Sequence, residues 1–198
     1  MTSGKLAQRI AVLATALPLL SPVVYARLDP AKTISQYGHD VWQTESGLPQ
    51  NSVLAIAQTG DGYLWFGTEE GLVRFDGVRF TVFDKRNTLS LRSNTISVLL
   101  EDRSGSLWIG TNGGGLTHLK NGRFTTLTTQ DGLAGNVILS LHEDREGNLW
   151  VGTDGGGLNR FRDGKFATYT VKNGLADNAV FSICEDRDGS LWFLFLQP

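Results

Sequence analysis

The pattern Leu-Trp-x-Gly-Thr occurs at 64–68, 107–111 and 149–153, and a fourth copy, Leu-Trp-Phe-Leu-Phe, opens the same way at 191–195. Its tryptophans, Trp65, Trp108, Trp150 and Trp192, are separated by 43, 42 and 42 residues. A fixed period of this size with strand-like content restricts the chain to a repeat architecture of similar stacked sheets, the blades of a β-propeller. Many of the 24 glycines recur at fixed repeat positions, where they mark tight turns and not disorder.

Each unit reads as four short strands rich in β-branched and aromatic residues and bounded by glycine. In the second unit these are 96–101, 107–111, 116–119 and 123–127. The first hairpin turn carries Asp102-Arg103-Ser104-Gly105, Asp144-Arg145-Glu146-Gly147 or Asp186-Arg187-Asp188-Gly189, and Gly60-Asp61-Gly62 in the first unit. An early acid accepts backbone N–H groups and a later glycine supplies positive φ, so this is turn chemistry. A calcium loop would need further oxygen ligands and a distal glutamate, which the pattern lacks.

Trp65, Trp108 and Trp150 each have a glycine two positions on, at Gly67, Gly110 and Gly152. Residues two apart on a strand share a face, so the glycine is expected to leave a recess beside the ring. These tryptophans, with Trp192, are expected to form the core between blades. The glycine-rich turns at 112–115 and 154–157 have amides that could cradle an anion, but no helix or Lys-Ser/Thr ending follows. Asn51, Asn94, Asn136 and Asn178 keep the tryptophan register in the links between units, where an asparagine can close a side-chain-to-backbone turn. The link at 84–89 breaks the repeat. It directs attention to linking-turn residues as ligand-binding candidates: Arg86, Asn87, Arg92 and Gln130.

Residues 1–26 read as a secretory signal peptide, with Lys5 and Arg9 ahead of an apolar run at 10–24 and the cleavage triplet Val24-Tyr25-Ala26. Its removal takes away two bases and no acid, lowering the formal charge from −2 to −4. No Lys/Arg cluster provides a nucleic-acid footprint. Cys184, the single cysteine, excludes an intramolecular disulfide and is expected to be a small buried or half-buried thiol. No cofactor, metal or catalytic residue is expected. The acids recur symmetrically in turns and do not converge on one pocket as a glycosidase would require.

The runs at 52–77, 96–122 and 138–164, with the opening at 41–53, resemble the two-component regulator propeller repeat. That resemblance implies the exported sensor region of hybrid histidine kinases and diguanylate cyclases. It also implies an extracellular ligand, such as a carbohydrate fragment, whose binding sends a signal across the membrane. No phosphoacceptor-histidine region or nucleotide motif is present, so the sequence reads as an N-terminal fragment of such a protein.

The expectation is therefore an all-β, partial (open) β-propeller of about three and a half four-stranded antiparallel blades after a signal peptide. A linker at 27–38 would lead into a propeller at 39–198, with blades at about 52–84, 95–128 and 137–170 and an incomplete one at 179–198. A strand at 39–44 would belong to the final blade. The expected function is non-enzymatic, periplasmic ligand sensing without the kinase or cyclase output. The alternative is a structural or protein-interaction fragment without a small-molecule ligand. Open blade flanks would favour self-association.

Overall fold

A computed structural model of the protein describes Thr33 and residues 40–195. The signal peptide, the linker and His39 therefore lie outside the described residues or almost entirely so. The rest is built from fourteen strands: β1 Val53–Gln58, β2 Leu64–Thr68, β3 Leu72–Phe75 and β4 Phe80–Phe83 in the first blade. The second blade holds β5 Ile96–Glu101, β6 Leu107–Thr111, β7 Leu116–Lys120 and β8 Arg123–Leu127. The third holds β9 Ile138–Glu143, β10 Leu149–Thr153, β11 Leu158–Arg162 and β12 Lys165–Tyr169. The fourth has β13 Ser182–Glu185 and β14 Leu191–Leu194.

Each complete blade is an antiparallel meander in chain order, and β13 and β14 form a two-stranded sheet. The first strands of successive blades lie against one another, β1 on β5, β5 on β9 and β9 on β13. The blades are therefore successive wedges of an open propeller.

The wedges meet through one repeated contact. Trp65 packs with Ile96, Leu107 and Ile109 of the second blade. Trp108 packs with Ile138, Leu149 and Val151 of the third, and Trp150 packs against Val180 and Ile183 of the fourth. Each indole thus faces the next blade. Trp65 and Trp108 are only 5% and 6% exposed, whereas Trp192, which no described blade follows, is 65% exposed. The opposite face shows the converse. Ile56 is 66% exposed, but its repeat equivalent Ile183 is buried against the third blade.

The glycine after each tryptophan serves this contact in a way that differs from expectation. The space is occupied not by the ring but by the next blade, joined at Gly110 and Gly152 by Val98 and Ser140 of the adjacent strand. A Cβ on Gly67 would lie 2.8 Å from Ile96 Cγ2, and one on Gly110 would lie 2.7 Å from Ile138 Cγ2. A Cβ on Gly152 would lie 2.4 Å from the Val180 carbonyl oxygen. Glycine is required because the next blade approaches this closely, through its backbone at Gly67 and Gly152 and through the Ile138 side chain at Gly110.

The links are closed by their asparagines across seven or nine residues. Asn51, Asn136 and Asn178 Oδ1 accept from the N–H groups of Thr44, Thr129 and Val171, and Asn94 Oδ1 accepts from Lys85 N–H. Leu48, Leu91 and Leu133, each three residues before its asparagine, are buried in the core. Several amides of the glycine-rich turns are occupied too. Gly113 and Gly115 N–H donate to the Asn136 carbonyl, and Gly157 N–H donates to that of Asn178.

Two expectations are corrected. Residues 40–43 form no strand, and Thr44–Ser46 is a 3-10 turn. Trp42 instead packs on Phe66, Phe75 and Phe80 of the first blade. Cys184 is exposed, not buried. It pairs with Trp192 across β13 and β14, and so lies on the face that no described blade covers.

Candidate functional site

The first hairpin turn of each blade is organised around one side chain. In the second blade Asp102 Oδ1 accepts from the N–H groups of Ser104 and Ser106, while Oδ2 accepts from Trp108 Nε1 at 2.8 Å. Asp144 and Asp186 repeat this arrangement, with bonds of 2.7 Å from Trp150 and Trp192 Nε1. Burial pushes the carboxyls of Asp102 and Asp144 up, but the donated hydrogen bonds outweigh it and hold both below the usual carboxylate range. At Asp186 the indole of Trp192 is the main cause of the same downward shift.

Adjacent turns are stitched together. Glu143 Oε2 accepts from Arg103 N–H, and Glu185 Oε2 accepts from Arg145 N–H. Arg103 Nη1 donates to the Arg145 carbonyl, and Arg145 donates to the carbonyls of Arg187 and Asp186. Arg103 and Arg145 thus span the gap to the next blade.

The first blade breaks this scheme at three positions. Thr59 stands in place of the aspartate, Gly60 in place of the arginine, and Tyr63 in place of Ser106, Asn148 and Ser190. Trp65 Nε1 consequently donates to Thr59 Oγ1, and Thr59 Oγ1 donates to Asp61 Oδ1 at 2.5 Å. The glutamate clasp survives, with Glu101 accepting from Gly60 N–H at 2.8 and 3.0 Å. The arginine bridge does not. A cleft of about 600 Å3 opens there, against about 300 Å3 in the corresponding gap between the second and third blades.

Its walls are the first blade's turn and the turn at Asn121–Gly122, with Trp65, Phe83, Leu107, Leu119 and Phe124 as the apolar lining. Arg74 lies inside. Its register partner is Trp65, and its guanidinium carbon stands 4.5 Å from the Tyr63 ring centroid. In the second blade His118 occupies this place, stacked 4.2 Å from Trp108 with Asp102 nearby. Burial lowers the His118 pKa, Asp102 opposes that shift, and Lys120 reinforces it. Arg74 has no such carboxylate, because Thr59 replaces it. Arg74 Nε is buried without a hydrogen-bond partner, and no carboxylate lies within 4.0 Å of Arg74 among the described residues.

The linking-turn candidates lie elsewhere. Arg86 grips Asp84 through Nε and Nη2, and Asn87 accepts from Asp84 N–H and donates to the Val82 carbonyl. These two side chains hold their own loop. Arg92 and Gln130 are exposed, and none of the four lines the cleft. The residues that do were signalled by the broken Asp-Arg-x-Gly pattern at 59–63, a cue that the longer link at 84–89 overshadowed. Among the described residues no three His, Cys, Asp or Glu side chains gather as a metal site would require.

The two component regulator propeller profile matches residues 47–70, 90–113, 132–155 and 174–195. The chain belongs to this family. Among solved structures, this regulator propeller is similar to two of the extracellular domain of BT4673 from B. thetaiotaomicron. One is described as part of a one component system and the other as part of a hybrid two component system. The first aligns with TM-score 0.64 at 23% identity over 76% of this chain, and the second with 0.62 at 27% over 77%. The regulator propeller spans 23% and 21% of those chains, less than a quarter of their length. Virginiamycin B lyase from Staphylococcus aureus shares the fold, with TM-score 0.55 at 16% identity over 74% of this chain and 50% of the lyase. No functionally curated protein matches the sequence.

Proposed function

We propose that this regulator propeller is a non-enzymatic, exported ligand-sensing module of a two-component-type signalling protein, working in the periplasm. The observation that carries the reading is the cleft between the first two blades. It opens where Gly60 interrupts a bridge that Arg103 and Arg145 make in the next two turns, and it combines an apolar lining with an unpartnered cation. Ligand pockets have this composition, apolar walls with a few placed polar groups. A small molecule held there touches two blades at once, so its binding energy depends on their spacing and couples occupancy to blade geometry. The family resemblance adds a carbohydrate fragment as one ligand class.

Gly60→Arg tests the site. The substitution restores the residue of the other turns, and a Cβ at Gly60 meets nothing nearer than 3.6 Å. In a thermal-shift screen of neutral oligosaccharides and free amino acids, a hit on the native protein is expected to vanish in Gly60→Arg. Retention of the shift in the variant would contradict the proposed site.

Protein interaction is a second reading, favoured by the complementary open flanks. Ile56 on one face and Trp192 on the other are the two halves of the contact that joins every blade pair, and both are about two-thirds exposed. Self-association through these flanks is the partner this reading supplies.

A further inference from the structure

The cleft holds opposite charges that do not meet. Arg74 enters from β3, Asp61 from the first hairpin turn and Glu101 from β5 of the second blade. No ion pair joins Arg74 to either acid. Glu101 has both oxygens engaged by Gly60 N–H. Asp61 Oδ1 accepts from Thr59 Oγ1, and more weakly from Tyr63 N–H at 3.4 Å, while Oδ2 takes no partner among the described residues.

We infer that the cleft recognises a small zwitterion, a molecule carrying a carboxylate and an ammonium group on an apolar body, as a free amino acid does. This assignment rests on the ligand-sensing reading of the same cleft. Arg74 is the carboxylate receptor. Its guanidinium is backed by Tyr63, Trp65 and Phe83, which supply cation–π attraction but no hydrogen-bond acceptor for its N–H groups. A ligand carboxylate satisfies them with charge-assisted bonds. Asp61 Oδ2 is the ammonium receptor, with Glu101 adding negative potential beside it.

Charge balance favours this class over its neighbours. Two carboxylates and one guanidinium leave the cleft with an excess of one negative charge, which repels a simple anion. A simple cation would leave Arg74 unmatched, and a neutral sugar would leave both signs unmatched. A zwitterion pairs with both. The apolar wall of Leu107, Leu119 and Phe124 then faces the side chain of the ligand, and the 600 Å3 volume accommodates a bulky one.

The test uses isothermal titration calorimetry on the full chain with four probes: phenylalanine, 3-phenylpropionate, phenethylamine and a neutral trisaccharide. Phenylalanine is expected to bind, with the acid and the amine each weaker by tenfold or more. Arg74→Gln is expected to reduce phenylalanine binding at least tenfold and to leave phenethylamine unweakened. Asp61→Asn, on an exposed turn whose Oδ1 contact the asparagine keeps, is expected to weaken phenylalanine and leave 3-phenylpropionate unweakened. Equal binding of phenylalanine and 3-phenylpropionate, or no binding of phenylalanine, would overturn the zwitterion assignment. If the trisaccharide alone binds and Gly60→Arg abolishes it, the sensing cleft stands and its charge selectivity falls. If phenylalanine binds Gly60→Arg as well as it binds the native protein, the site reading and this inference both fall.

Discussion

Replacing Gly110 by alanine should reveal whether the blades touch as closely as the fold requires. The backbone there is ordinary strand, so space is the obstacle. The new Cβ would lie 2.4 Å from Val98 Cγ1 in its own sheet, and 2.7 and 2.9 Å from Cγ2 and Cβ of Ile138 in the next blade. Relieving such overlaps in a packed interior costs about 1–3 kcal/mol. Ile138 is fully buried, so Ile138→Ala alone should cost about 2–5 kcal/mol through the cavity it leaves.

The double variant is the decisive member of the set. Ile138→Ala deletes Cγ2, the nearer of the two Ile138 atoms, so the two losses should fall short of their sum by about 1 kcal/mol or more. Urea unfolding followed by circular dichroism reads this as a midpoint shift of about 0.5 M for each 1 kcal/mol, given a slope of about 2 kcal/mol/M. Additivity within about 0.3–0.5 kcal/mol would mean that the two residues do not meet, and would refute the wedge packing.

Further outcomes follow from the turns and flanks. The carboxyl of Asp144 is held below its usual pKa in the fold, so its stabilising contribution is complete above the unfolded value of 3.8 and is lost as pH falls through the folded value. Asp144→Asn should therefore be destabilised at neutral pH relative to the native protein, with the difference shrinking in acid titrations of the urea midpoint. His118 is likewise lowered, so its contribution is complete above 6.5 and fades as pH falls below that; His118→Phe should flatten this step in the stability profile. Ile56→Lys or Trp192→Ser should each reduce the concentration dependence of sedimentation, since either charges or trims one exposed flank. An unchanged sedimentation profile in both variants would remove the flank contact as a means of association.

The repeat made the fold legible because tryptophan, glycine and asparagine are each fixed by a contact made once per blade. A period of 42 or 43 residues therefore reports blade stacking directly. What each glycine accommodates was less legible, since Ile96, Ile138 and Val180 come from the following unit and sequence spacing within one strand does not display them. The exposure of Cys184 reflects a sheet face that no described blade covers, and its own sequence neighbours do not display that. The stretch at 40–44 carries strand-like residues, but Trp42 finds an aromatic cluster on the first blade and the chain turns at Gly47 instead. The cleft could have been found from Thr59, Gly60 and Tyr63, three departures within five residues of an otherwise regular turn. The polar link at 84–89 was the more conspicuous irregularity, but Asp84, Arg86 and Asn87 satisfy one another there.

The account depends on each indole being capped by the following blade, with the last left bare. Fluorine NMR of protein labelled with 5-fluorotryptophan, assigned by single Trp→Phe variants in the Ile56→Lys background, reads this residue by residue through the H2O/D2O isotope shift. Trp192 should show a shift close to that of a free indole, and Trp65 and Trp108 almost none. A shift at Trp65 or Trp108 equal to that at Trp192 would contradict the stacked-blade architecture and, with it, the cleft between the first two blades.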